Sequence, residues 1–350
     1  EERPFDADDA FYDELAAWVA RNGKALEKAR EAVARTACRF DLEWEEGVAM
    51  ETPQVSGMLT LSNLLQAQVV LAARAGDVDR AIAVCAHQVR LAEISVQDPL
   101  LIYLLVRAAL VDAALRTAQA VLEHGPAATG PLRNLAARLD QLTYQGELRR
   151  VFVGERTFGY DALSQLLDDP DGGADWSPFD WHQGFGRELL YRLVPDTMIK
   201  LDLARYLALT RRVIELDPRP YHEARPDWDA LEAEMRDRPW YAVASSVALV
   251  AFPTVVRKWA THQARVDVAR LGLELELYRR EHGVLPETLA DLPVTLRVDD
   301  PFRDRPYVLK TTGDDGFVVY SVGPDRKDDG GRSLDDDEEG DIVWRWPAGA

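Results

Sequence analysis

Between Pro324 and Asp341 the chain carries Asp325, Asp328, Asp329, the run Asp335-Asp-Asp-Glu-Glu339 and Asp341. Carboxylates at this density repel one another unless something positive sits among them. A hard divalent cation taking about six to eight oxygen ligands at roughly 2.3–2.6 Å would turn that repulsion into binding. Gly330-Gly331 would let backbone carbonyls turn inward toward it. Calcium suits such a loop better than magnesium, because a flexible, oxygen-rich segment matches its irregular shell. Zinc does not suit it, since no Cys or His lies in the loop. The spacing is not that of an EF-hand. Counted from Asp325, Asp329 and Gly330 fall at positions five and six, but Lys327 stands at position three and Asp336 replaces the closing Glu. On composition alone, a solvated acidic loop and a calcium loop account for these residues equally well.

A second group of candidates lies at residues 168–186, a stretch rich in turn formers and aromatics. Asp169, Asp171 and Asp175 could face one cation. Asp175 and Asp180 with His182 could perform general acid-base work, which would make the protein an envelope hydrolase with a site near residues 168–182. The competing account has acidic turns capping the neighbouring helices while Trp176, Phe179 and Trp181 plug the core. The chain has no Gly-x-Ser-x-Gly elbow, no His-Glu-x-x-His and no glycine-rich phosphate loop. A non-enzymatic protein is therefore the first expectation and the hydrolase the alternative.

The 350 residues are 47% hydrophobic and 29% charged, which supports a normal core and two or three domains. The formal net charge of -19 argues against a nucleic-acid partner, because phosphate binding needs a basic field. Cys38 and Cys85 fit neither a disulfide scaffold nor a four-ligand zinc site, and two free thiols are expected rather than one bridge. The chain begins at Glu1, and a leader or membrane anchor upstream of it is expected. Its most apolar segment, Tyr241 to Val256, is shorter than the ~20 residues of a bilayer span and contains Pro253, so it reads as a buried helix.

The elements that must position the acidic loop are mostly helical. Leu59 to Ala75 and Val78 to Ile94 carry apolar residues at helical spacing, with Gly76-Asp77 as the turn between them. Residues 76–83, Gly-Asp-Val-Asp-Arg-Ala-Ile-Ala, look like the inter-helix turn of tetratricopeptide repeats, without a second copy at fixed period. Asp98-Pro99 opens a helix to about Glu123, and Pro131 opens another that should reach about Phe158. After Pro253 a long amphipathic helix runs to about His282 with Val255, Trp259, His262, Val266, Ala269, Leu273 and Leu277 on one stripe. Gly283 and Pro286 end it, and His262 is expected to be a core or boundary residue. Tyr307 to Lys310, Phe317 to Val322 and Ile342 to Trp346 read as strands, with a hairpin turn at residues 313–316. The expected fold is a mainly α region over residues 1–252, as a bundle or tetratricopeptide-like hairpins, then a small α+β domain over 253–350 with a three-stranded antiparallel sheet.

The motif order in about residues 255 to 346 resembles the globular domain of the major pseudopilins of type II secretion. The residues that carry the likeness are Tyr278-Arg-Arg-Glu-His-Gly-Val-Leu-Pro-Glu, Asp300-Pro301-Phe302, Pro306-Tyr307, Tyr320-Ser-Val-Gly-Pro-Asp325, Gly330-Gly331 and Asp341-Ile-Val-Trp344. In that family a long helix ends in Tyr-x-x-x-x-Gly-x-x-Pro, an Asp-Pro-Trp-type turn follows, and three strands frame a loop that binds structural calcium. The resemblance implies bound Ca2+ with Asp325 and Asp341 as ligands, and with Asp328, Asp329 and Asp337 as further candidates. Arg326 stands where the family has Gly and the loop is longer, so the match does not fix the middle ligands. Ser321 and Asp300 are expected to be structural, Ser321 bonding the loop backbone and Asp300-Pro301 forming a turn.

About 250 residues of helical protein precede this module, so a pilus role is not implied. The whole chain resembles large envelope proteins of planctomycete-type bacteria, in which an anchor precedes a helical region and a terminal module of this kind. That likeness implies an extracytoplasmic setting, in the periplasm or cell envelope, and the helical body is expected to bind another envelope protein. The Trp259 stripe is expected to dock the terminal domain on that body.

Overall fold

The computed structural model describes residues 8–94, 98–142, 146–168, 196–216, 219–242, 244–249, 251–292, 299–312, 316–333 and 339–346. Most of these are helical, and a small antiparallel sheet lies near the C-terminus. The helices are α1 (Asp9–Arg21), α2 (Gly23–Val33), α3 (Pro53–Arg74), α4 (Val78–Ile94), α5 (Leu101–His124), α6 (Thr129–Asp140), α7 (Glu147–Asp168), α8 (Asp196–Leu216), α9 (Tyr221–Arg236), α10 (Ala244–Leu249) and α11 (Phe252–His282). Short 3-10 turns occupy Trp44–Ala49 and Leu289–Asp291. The strands are β1 (Val308–Thr312), β2 (Gly316–Ser321) and β3 (Ile342–Trp346), hydrogen-bonded in that order.

The expected hairpin is formed by α3 and α4, with the side chain of Asp77 accepting the Arg80 N–H at 3.1 Å to start the second helix. By length and composition α3 could cross a membrane; here it packs on α4 and α5 and buries Leu64, Leu65 and Val69. Cys85 on α4 is buried and Cys38 is half-buried, and both are free thiols. Burial pushes the Cys85 thiol up to about 12, so it stays protonated.

Two helix boundaries differ from expectation. The helix expected from Pro131 to Phe158 is two, α6 and α7, because the chain turns after Asp140 and passes through Gly146 at φ 77 before helix resumes. The apolar segment 241–256 is also divided. α10 covers its middle, and Pro253 sits in the first turn of α11, where its missing N–H has no intrahelical partner to lose.

α11 is the element on which the rest is assembled. It packs against α5, α6 and α9 and also against β2 and β3, and one hydrophobic cluster runs from Leu26 to Trp346. All seven residues of the predicted stripe are buried, Trp259 included. Coverage on several sides also buries polar groups of α11, and these meet partners on neighbouring elements or along the helix. His262 Nδ1 lies 2.7 Å from Asp112 Oδ1 on α5, and Arg265 Nη1 lies 2.7 Å from Asp112 Oδ2. Tyr307 Oη donates to Asp267 at 3.0 Å, and Arg279 and Arg280 both reach Glu276. An unpaired charge at such depth would cost several kcal/mol, roughly, so these pairs dictate how α11 is seated. Gly283 closes the helix in the left-handed region at φ 77, its N–H donating to the Arg279 carbonyl at 2.8 Å.

The sheet is a meander with Val308 opposite Tyr320, Thr312 opposite Gly316, Phe317 opposite Trp346 and Ser321 opposite Ile342. The register leaves residues 313–315 for the first turn, and these lie outside the described residues. β2 is central and buried along its whole length. Gly272 on α11 lies directly under the Trp344 indole of β3, where any Cβ would overlap the ring.

Candidate functional site

The acidic loop springs from the end of β2, and its root is fastened by Asp300. This carboxylate is fully buried. Its Oδ1 accepts from Phe302 N at 3.0 Å and from Ser321 Oγ at 2.8 Å, and its Oδ2 accepts from Val322 N at 3.0 Å. Ser321 Oγ in turn accepts from Gly323 N at 3.1 Å, so Asp300 and Ser321 hold the loop root as the sequence suggests. Burial raises the Asp300 carboxyl above its ordinary range, and the hydrogen bonds from Phe302, Ser321 and Val322 pull it back.

Beyond that root, Asp328, Asp329 and Asp341 gather around the turn at Gly330-Gly331, both glycines having positive φ. Asp341 is buried and accepts from Gly331 N at 2.6 Å and Asp329 N at 3.4 Å, while its own N–H donates to the Arg332 carbonyl at 3.0 Å. Burial pushes its carboxyl up; the two backbone donors oppose this, and the negative charges of Asp328 and Asp329 add to it. Asp328 uses one oxygen, Oδ1, for both Tyr320 Oη at 2.8 Å and Gly330 N at 3.0 Å. The Tyr320 hydrogen bond is the main reason its carboxyl lies below the ordinary range, and Gly330 N and the Lys310 ammonium act in the same direction.

Asp325 is turned elsewhere: its oxygens meet Lys327 N at 3.1 Å and Lys327 Nζ at 3.4 Å. Asp337 lies outside the described residues, as do Asp169, Asp171, Asp175, Asp180 and His182 of the second candidate group. Among the described residues no three His, Cys, Asp or Glu side chains form a group able to hold a metal ion. The loop thus sets the Asp328 and Asp341 carboxylates on the N–H groups of Gly330 and Gly331 and leaves Asp325 to one side.

A feature with no motif in the sequence is a cleft of about 480 Å³ where α9, α11 and the Asp299–Arg305 turn meet. Its walls come from residues as far apart as Leu148 and Arg305, so no local spacing announces it. The Asp300-Pro301 turn is its closest sequence signal, because the Pro301 carbonyl accepts the His222 N–H at 2.9 Å and ties that turn to the start of α9.

Comparison with protein-family models, with curated proteins and with solved structures finds no match to this chain.

Proposed function

We propose that this is a non-enzymatic extracytoplasmic protein whose C-terminal, pseudopilin-like unit is stabilised by calcium and whose helical body docks another protein of the cell envelope. The observation that supports the calcium reading is the negative charge at the Gly330-Gly331 turn: the buried Asp341 accepts from the Gly331 and Asp329 N–H groups, and the charges of Asp328 and Asp329 add to burial in pushing its carboxyl up. A divalent cation compensates that charge and stabilises only the folded loop. Seating of both the sheet and the body on α11 supports a fixed display of the module, since movement between them would break the Asp112–His262–Arg265 contacts.

Thermal unfolding of the purified chain in millimolar CaCl2 and in chelator tests this reading. A ligand at about 100 times its Kd adds roughly 2.7 kcal/mol to the stability of the state that binds it. The expected result is a clear rise in Tm with calcium and a smaller one with magnesium. Superimposable melting curves, with no metal retained after purification, refute it.

A further inference from the structure

A second pocket, of about 180 Å³, opens where α2, α3 and α4 meet. Ala29 and Val33 of α2, Leu65 of α3 and Ala83, Val84 and Leu91 of α4 form its apolar wall. A cavity of about 150 Å³ with walls of this kind takes up benzene, so this one has room for a body of about six carbons. It is too small for larger cofactors, whose sites measure roughly 300–1,000 Å³.

The polar groups of the pocket are Arg30, Gln68, Arg80 and His87, and no acidic side chain lines it. Arg30 and Arg80 are exposed, Gln68 and His87 partly so. None of the four side chains makes a hydrogen bond or ion pair to a described residue. Arg138 of α6 belongs to the same basic cluster. Burial holds the His87 imidazole below its usual value, and the charges of Arg138 and Arg30 push it the same way. The pocket is thus locally cationic on a chain of net charge -19. At physiological ionic strength charges act over about 8 Å, so the arginines beside the pocket outweigh distant acids there.

An apolar slot flanked by uncommitted arginines suits a molecule with an apolar body and one anionic end. A guanidinium presents parallel N–H donors that match the two oxygens of a carboxylate. We propose that this pocket binds a short organic monocarboxylate, its body lying among Leu65, Ala83 and Val84 and its carboxylate meeting Arg30 and Arg80. The assignment stands apart from the calcium reading, and the failure of either leaves the other untouched. It is tested by isothermal titration of the full chain in calcium-free buffer, at physiological ionic strength, with hexanoate, its neutral amide hexanamide and inorganic phosphate.

The expected result is saturable 1:1 binding of hexanoate. Hexanamide lacks the charge and phosphate lacks the body, so each should bind about tenfold more weakly or worse. Arg30→Gln and Arg80→Gln change exposed side chains and should leave Tm unchanged, each weakening hexanoate about threefold and both together about tenfold. Ala83→Leu keeps every charge but fills the slot, and should weaken hexanoate by about tenfold or more. Circular dichroism checks that each variant is folded, and the arginine variants decide the matter if Ala83→Leu is not. The proposal is overturned by no saturable binding of hexanoate, by equal affinity for hexanamide, by equal or tighter binding of phosphate, or by unchanged affinity in the folded double arginine variant or in folded Ala83→Leu.

Discussion

Replacing Gly272 with Ala decides whether α11 and the sheet are in the contact described. In an exposed helix interior this change stabilises by about 1 kcal/mol, because Gly loses more backbone freedom on folding than Ala. At Gly272 the new methyl would overlap Cδ1, Nε1 and Cγ of Trp344. That indole is 3% exposed and belongs to β3, where Trp344 pairs with Val319 of the buried central strand, so it has no free direction in which to move. Overpacking a filled core costs about 1–3 kcal/mol, and overlap with three ring atoms belongs at the upper end. The net expectation is a loss of about 2 kcal/mol, measured as a lower urea midpoint by circular dichroism. The second arm removes the obstacle. In a Trp344→Leu background, Gly272→Ala should become neutral or stabilising by up to about 1 kcal/mol. A Gly272→Ala protein that is more stable than the parent, with Trp344 present, would falsify the close approach of helix and sheet.

Three further outcomes follow from other contacts. Asp112→Asn should cost about 3 kcal/mol by removing the buried carboxylate that His262 and Arg265 share, measured by urea unfolding. Burial alone would raise the Asp112 carboxyl, but His262 and Arg265 outweigh it and hold it below its ordinary value of 3.8. The stability this contributes is therefore complete above about pH 4 and lost as pH falls through the depressed folded value, so Asp112→Asn should flatten the acid limb of a Tm–pH profile. Limited proteolysis that nicks the chain just before α11 should leave the pieces associated in gel filtration, because Trp259, His262 and Val266 are buried in the packing of α11. In the calcium titration, Asp329→Asn should erase the metal-induced rise in Tm with little change without metal, whereas Asp341→Asn should already lower Tm in chelator.

What was legible in the sequence was what depends on neighbours along the chain. The stripe from Val255 to Leu277, the left-handed stop at Gly283, the hairpin turn at Gly76 and the three strands each rest on local periodicity or on one residue's backbone preference. The break between α6 and α7 has no clear signal in the sequence, because the apolar pattern continues across it and Gly146 marks its end without a proline. The pairing of Asp112 with His262 spans 150 residues and has no spacing to read. Its only trace is chemical: an acid inside the apolar run Leu110-Val-Asp-Ala-Ala-Leu115, and a histidine inside the α11 stripe, each too costly to bury alone. The cleft was illegible for the same reason, since its walls are drawn from α7, α9, α11 and the Asp300 turn.

Within the acidic loop, sequence order and chemical availability rank the aspartates differently. Motif position favours Asp325 and Asp341, yet a carboxylate can serve a cation only with lone pairs that the chain has not already taken. Asp300 spends its oxygens on three protein donors at zero exposure and belongs to the scaffold. Asp341 spends both oxygens on backbone N–H groups of the turn that it shapes, and Asp325 spends both on Lys327. Asp328 keeps Oδ2 without a partner among the described residues, and the Asp329 side chain keeps both oxygens. Under the calcium reading, Asp341 therefore builds the turn and tunes its charge, while Asp328 and Asp329 present the oxygens that a cation can reach. The two substitutions that separate those roles, at Asp329 and Asp341, must then differ in the metal-free protein as well as in the metal-bound one.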